Sequence, residues 1–198
     1  MSKTVDYFFT PASPWTYLGH QRFEAIAAKA GAEIRYKPVD YGKIFPVSGG
    51  LPLGKRAAQR QSYRMFELER WRSFLHVPLT MEPRYFPVAS DLACQLIIAA
   101  ERAGGAPGPI SFALMRACWA EERNIADPDV LAAIAREQGH DGAALVTTAR
   151  KPETAAQYDA LTREAIDRRV FGAPFYIYND EPFWGQDRLD FLERALAA

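Results

Sequence analysis

The hydrophobic pattern switches repeatedly between strand and helix periods along the chain, and that order restricts the fold more than any other feature. Thr4 to Phe9 alternates as a short strand. Thr10-Pro11-Ala12-Ser13-Pro14 then forms a turn, because no strand interior accepts two prolines. From Trp15 the apolar positions Trp15, Leu18, Phe23, Ile26 and Ala27 recur at spacings near three and four, which predicts a helix stopped by Gly31. Glu33 to Lys37 alternates again. A strand, helix, strand opening favours a parallel pair joined by a right-handed crossover.

Asp40 to Gly54 is rich in Gly and Pro and reads as a long loop of the kind that is often functional. A long helical block follows, with candidate helices over Lys55 to Leu75, Val88 to Ala103, Pro109 to Glu122 and Asp129 to Gln138. Asp127-Pro128 supplies an N-cap with proline at the first helical position. Another helix starts at Lys151-Pro152-Glu153 and runs to Arg169. Phe175 to Tyr178 is a strand, Asn179-Asp180 a hairpin turn, Glu181 to Trp184 the returning strand, and Gln186 to Ala197 a closing helix. The expected fold is α/β: residues 1–40 and 150–198 form one domain around a small mixed sheet, and residues 41–149 form a loop plus an all-helical insertion. A chain of 198 residues can bury such a core without disulfides.

Charge and composition exclude several classes. Lys+Arg and Asp+Glu are equal at 24 each and the basic residues are dispersed, so a nucleic-acid partner is not expected. The opening MSKTVDYFFT lacks the regions of a signal peptide, and no segment approaches the roughly 20 apolar residues of a membrane span, so a cytoplasmic protein without a membrane partner is expected. Cys94 and Cys118 lie in apolar helical segments without CxxC spacing and read as buried thiols. His20, His76 and His140 are scattered, and no metal site is expected.

Three short segments carry the candidate chemistry. Ser13-Pro14-Trp15 begins the first helix, where unpaired N–H groups and the helix dipole favour an anion such as a thiolate; an ordinary serine N-cap has the same appearance. Gly172-Ala173-Pro174 precedes a strand. A cis bond before Pro174 would present the backbone of Ala173 to an extended peptide, whereas a trans proline would only begin the strand. Trp184-Gly185-Gln186-Asp187-Arg188 leads into the last helix, with Asp187 able to meet an ammonium group or simply to complement the dipole.

Taken together these motifs resemble the DsbA-like branch of the thioredoxin superfamily, and within it the 2-hydroxychromene-2-carboxylate isomerases and kappa-class glutathione transferases. The resemblance rests on Ser13-Pro14-Trp15-Thr16-Tyr17-Leu18, on Arg70-Trp71, on Val170-Phe171-Gly172-Ala173-Pro174 and on Phe183-Trp184-Gly185-Gln186-Asp187-Arg188-Leu189, and it spans nearly the whole chain. It implies a thioredoxin-like fold with a large helical insertion and a glutathione site. In that site Ser13, the catalytic residue, donates to the glutathione sulfur, the backbone at Ala173 and Pro174 pairs with the cysteinyl unit, and Trp184 to Arg188 surround the γ-glutamyl end.

The implied reaction is a glutathione-dependent cis-trans isomerisation of a small aromatic carboxylate in aromatic catabolism. Serine forms no mixed disulfide, so redox exchange at this position is excluded. Lys43 and Lys55 are candidates for a substrate carboxylate and Tyr85 for a phenolic oxygen or ring, although such lysines are also ordinary surface residues. An aromatic content of 13% suits an aromatic substrate but also an ordinary core. Three departures bear on the substrate. Ala173 stands where the family usually has Val, Gln186 where the isomerases have Asn, and Gly54-Lys55 where they set an Asn-Arg pair against substrate. A kappa-type transferase and a non-catalytic peptide-binding module are the alternatives, and some family members are homodimers.

Overall fold

The computed structural model describes residues 3–198; Met1 and Ser2, which open the stretch MSKTVDYFFT and the expected first domain, lie outside the described residues. Strand β1 (Thr4–Phe9) runs between β2 (Glu33–Pro38) and β3 (Phe175–Tyr178), and β4 (Glu181–Trp184) forms the far edge. β1 is parallel to β2, from Thr4 opposite Glu33 to Phe9 opposite Pro38, and antiparallel to β3. β3 and β4 form the hairpin expected at Asn179-Asp180, and both turn residues have positive φ, 50° and 64°.

The central position of β1 explains why every residue from Val5 to Phe9 is buried. Side chains alternate between the faces of a strand. Val5, Tyr7 and Phe9 enter the larger cluster, where Tyr7 stacks on Phe9 at 4.5 Å and on Tyr176 at 5.2 Å. Phe8 enters a second cluster on the other face, with Val39, Tyr41, Ile44 and Phe175.

Helix α1 (Pro14–Lys29) packs on the larger cluster through Leu18, Phe23 and Ala27. A buried polar chain fixes its orientation: Tyr7 Oη lies 3.2 Å from His20 Nδ1, His20 Nε2 lies 3.3 Å from both Gly108 O and Glu24 Oε1, and Tyr36 Oη donates to Glu24 at 2.5 Å. Since Nε2 faces two acceptors it carries the proton, which leaves Nδ1 to accept from Tyr7.

The expected loop at Asp40 to Gly54 is in part a helix, α2 (Tyr41–Ser48). Asp40 caps it by accepting from Gly42 N at 2.7 Å, and Gly49 ends it at φ 75°. Pro46 lies inside the helix on its exposed side, while Tyr41 and Ile44, three residues apart, bury their side chains. That burial holds a helix that its own propensity would not.

The helical block contains α3 (Ala58–Leu75), α4 (Asp91–Arg102), α5 (Pro107–Trp119) and α6 (Pro128–Glu137), close to the expected four. A further short helix, α7 (Gly142–Ala149), is capped by Asp141. Gly142 permits its close contact with α6, because a Cβ there would collide with the carbonyl of Ala132. Helix α8 (Pro152–Asp167) returns the chain to the sheet and α9 (Leu189–Ala197) closes it. Leu96, Ile97, Leu114 and Leu131 of the helical block share one buried cluster with Tyr7 and Phe23, so the block and the sheet have a common core.

Candidate active site

The ends of β1, α1, α3 and β4 converge on a cleft in two connected parts. The larger, about 720 Å³, is lined by Ser13, Phe86, Ala173 and Trp184 among others. The smaller, about 490 Å³, is lined by Trp71 and by Trp184 through Arg188; Trp15, Ala173 and Trp184 border both. Such volumes suit a ligand of small-peptide or aromatic-acid size.

Ser13 is the N-cap of α1, with extended backbone (φ −91°, ψ 122°) and Pro14 at the first helical position. Its Oγ accepts from Thr16 N at 3.3 Å. A hydroxyl that accepts from the helix still has its own proton to donate, and the positive end of the helix dipole lies behind it. An anion in the cleft opposite Ser13 therefore meets a donor and a dipole of the right sign.

The Ala173-Pro174 bond is cis, as is Phe86-Pro87, which the sequence did not signal. Around Ala173 the backbone is unevenly satisfied. The Gly172 carbonyl accepts from Tyr41 Oη at 2.8 Å and the Pro174 carbonyl from Gly185 N at 2.9 Å. Ala173 between them makes no hydrogen bond among the described residues, and it lines both parts of the cleft. Unpaired backbone groups at a cleft wall can receive an extended peptide as an added strand.

Trp184 is about half exposed and packs edge-to-face on Phe171, with ring centroids 4.9 Å apart. Gly172 makes that position accessible, since a Cβ there would strike the indole nitrogen. Gly185 has φ 94°, a conformation open to glycine at little cost. Beyond it Asp187 and Arg188 pair with each other at 2.7 Å and remain partly exposed.

Gln186 borders the smaller part of the cleft. Its side chain is buried, and its Oε1 accepts from Arg22 Nη1 at 3.0 Å, so it is directed into the protein. Its carbonyl also accepts from Arg22 Nη1, at 3.4 Å, while its Nε2 has no partner among the described residues.

Lys43, Lys55 and Tyr85 are not brought to the cleft wall. Helix α2 turns Lys43 outward, where it pairs with Asp159 at 2.7 Å. Lys55 ends the short 3-10 turn Leu53–Lys55 and is exposed. Tyr85 is exposed beside Arg84, whose guanidinium lies 5.4 Å from its ring centre.

Besides Arg188 in the smaller part, the cations on the wall are Arg56, Arg60 and Arg64, which border both parts of the cleft. Burial and the charge of Arg56 bring the Arg64 guanidinium down to about 10, well below the usual arginine range. Spacing by four along a helical pattern was the available signal for this trio, but on a charged helix such spacing ordinarily marks a solvated face. Among the described residues no cluster of three or more His, Cys, Asp or Glu side chains has metal-binding geometry, and no helix is long and apolar enough to cross a membrane.

A family model described as the DSBA-like thioredoxin domain matches residues 4–197. The chain is 32% identical over 197 residues to the 2-hydroxychromene-2-carboxylate isomerase of Sphingobium xenophagum, covering 99% of both chains. It is 31% identical over 195 residues to the protein of the same name from Pseudomonas putida, covering 97% of this chain and 93% of that one. A solved structure of selenomethionine 2-hydroxychromene-2-carboxylate isomerase superposes with a TM-score of 0.80 at 26% identity, covering 98% of this chain and 94% of the other.

Proposed function

The chain belongs to the DSBA-like thioredoxin domain family, and from that premise we propose that it is a glutathione-dependent isomerase of 2-hydroxychromene-2-carboxylate or a similar aromatic carboxylate. The observation that carries this reading is the pairing of Ser13, a hydroxyl donor at a helix N-terminus, with the unpaired backbone of Ala173 in one cleft. The relatives' shared name supplies the reaction.

The residues present fit the tripeptide. Ala173 offers its N–H and C=O to the cysteinyl unit, and the Gly185 to Arg188 turn offers backbone groups and the Asp187 carboxylate to the γ-glutamyl end. When bound, glutathione supplies a thiolate that adds reversibly to a conjugated carbon and so frees rotation about the former double bond. Ser13 donates its hydroxyl proton toward the sulfur position, and the α1 dipole favours the ionised thiol over the neutral one. Trp15 and Trp184 border both parts of the cleft and give it apolar surface between the two ligands. Serine at position 13 keeps the site free of disulfide exchange.

On this reading residues 1–40 and 150–198 are the thioredoxin-like domain that carries the tripeptide site, and residues 41–149 are the insertion that covers the substrate. Two buried, unpaired cysteines suit the reducing conditions of the cytosol, where we place the protein. The test is isomerisation of 2-hydroxychromene-2-carboxylate followed by absorbance: turnover with glutathione and none without it is expected, and equal rates in both would overturn the reading.

A further inference from the structure

Arg60 and Arg64 lie one turn apart on the same side of α3, and Arg56 sits in the extended segment that enters it. All three border both parts of the cleft. None makes an ion pair among the described residues: the ion pairs within α3 lie further along, Arg70 with Glu67 at 2.8 Å and Arg72 with Glu69 at 2.7 Å. The acids across the cleft are engaged elsewhere. Asp40 accepts from Gly42 N at 2.7 Å, and Asp91 accepts from Tyr158 Oη at 3.4 Å.

Arg64 is held in place without a counterion. Its guanidinium carbon lies 5.5 Å from the ring centre of Phe86 and 6.0 Å from that of Trp119, and its Nη1 reaches only the sulfur of Met65, at 3.7 Å. Withdrawing a guanidinium from water without an anion is unfavourable, and the like charges of Arg60, one turn away, and of Arg56 add to that cost. An arrangement that keeps both costs on a cleft wall is suited to receiving an anion there. The planar fork of arginine matches a carboxylate at two points.

We infer that Arg64, assisted by Arg60, binds the carboxylate of an aromatic acid whose ring lies against Phe86, the role for which Lys43 and Lys55 were the expected candidates. The inference rests on the functional reading above and names a determinant of its substrate class. Glutathione also carries carboxylates, but Phe86 borders only the part of the cleft that contains Ser13, whereas Asp187 and Arg188 border only the other part. Arg64 is anchored on the Phe86 side.

The experiment is calorimetric titration of chromone-2-carboxylate, a flat acid that cannot isomerise, and of its methyl ester, into wild-type protein and the Arg64→Met, Arg64→Lys and Arg60→Met variants. Glutathione is titrated separately. Wild type should prefer the acid. Arg64→Met should weaken acid binding by about ten- to a hundredfold, the loss typical of a charge-assisted hydrogen bond, while leaving the ester and glutathione unchanged. Arg64→Lys should recover part of the acid preference, and Arg60→Met should cause a smaller loss. Equal wild-type affinity for acid and ester would overturn the inference, as would an Arg64→Met variant that weakens glutathione and spares the acid. Because binding is read without turnover, a protein that holds the acid through Arg64 yet leaves the chromene unchanged refutes the isomerase reading alone.

Discussion

Arg22, in the middle of α1, donates from Nη1 to Gln186 Oε1 at 3.0 Å and to the Gln186 carbonyl at 3.4 Å. This contact joins the helix that begins at Ser13 to the turn that carries Gly185 to Arg188, the two sides of the proposed tripeptide site. Gly19 allows the approach, because a Cβ there would stand 2.7 Å from Gln186 Cβ. Arg22→Ala should therefore raise the dissociation constant for glutathione about three- to tenfold, the effect of roughly 1 kcal/mol of lost hydrogen bonding. Titration calorimetry measures it, and an unchanged constant would show that the turn holds its position without α1.

Gly172→Ala should displace the Trp184 indole from Phe171, since the added methyl meets the indole nitrogen. The expected outcome is altered tryptophan fluorescence together with weaker glutathione binding. If both match wild type, Trp184 does not shape the site.

Neither cysteine should take part in thiol chemistry. Burial pushes the Cys94 and Cys118 thiols up to about 12, so few thiolates exist at neutral pH. A colourimetric thiol reagent should find no reactive group in the native protein and two after denaturation. Ser13→Cys places a thiol at the α1 N-terminus instead, and incubation with oxidised glutathione should then add one glutathionyl group with release of one glutathione thiolate, read by intact mass. Rapid native labelling of the wild type would contradict the account of its cysteines.

Glu24 should contribute to acid stability. Burial alone would raise its carboxyl, but the hydrogen bonds from His20 and Tyr36 hold it below the usual carboxylate range. A carboxyl depressed in the folded state stabilises fully above its unfolded value, about 4.3 for glutamate, and that contribution is lost as pH falls through the folded value. Urea midpoints measured across the acid range should fall less steeply for Glu24→Gln than for wild type. Parallel curves would show that the Tyr7, His20, Glu24 and Tyr36 chain has no such linkage.

The head and tail of the chain were legible because their elements carry clean periods. Val5, Tyr7 and Phe9 alternate in β1, Leu18 and Phe23 mark α1, and Asn179-Asp180 marks the hairpin. Ser13, Ala173 and Trp184 could be proposed as neighbours, and the fold brings them to one cleft. Helix α2 was hidden because Gly42 and Pro46 weaken its local signal while its support comes from tertiary burial of Tyr41 and Ile44. That helix also carries Lys43 away from the cleft to Asp159. The inward orientation of Gln186 depends on Arg22, 164 residues earlier, and the arginine trio shows its orientation only once α3 is packed.

The central claim is that Ser13 activates a glutathione thiol for isomerisation, and steady-state turnover of 2-hydroxychromene-2-carboxylate by wild type and Ser13→Ala, with the glutathione dissociation constant measured for each, tests it most directly. The expected result is a drop in kcat of about a hundredfold, the scale for losing a donor to a reacting anion, while glutathione still binds. Turnover in Ser13→Ala equal to wild type, or wild-type turnover that does not need glutathione, would contradict the claim.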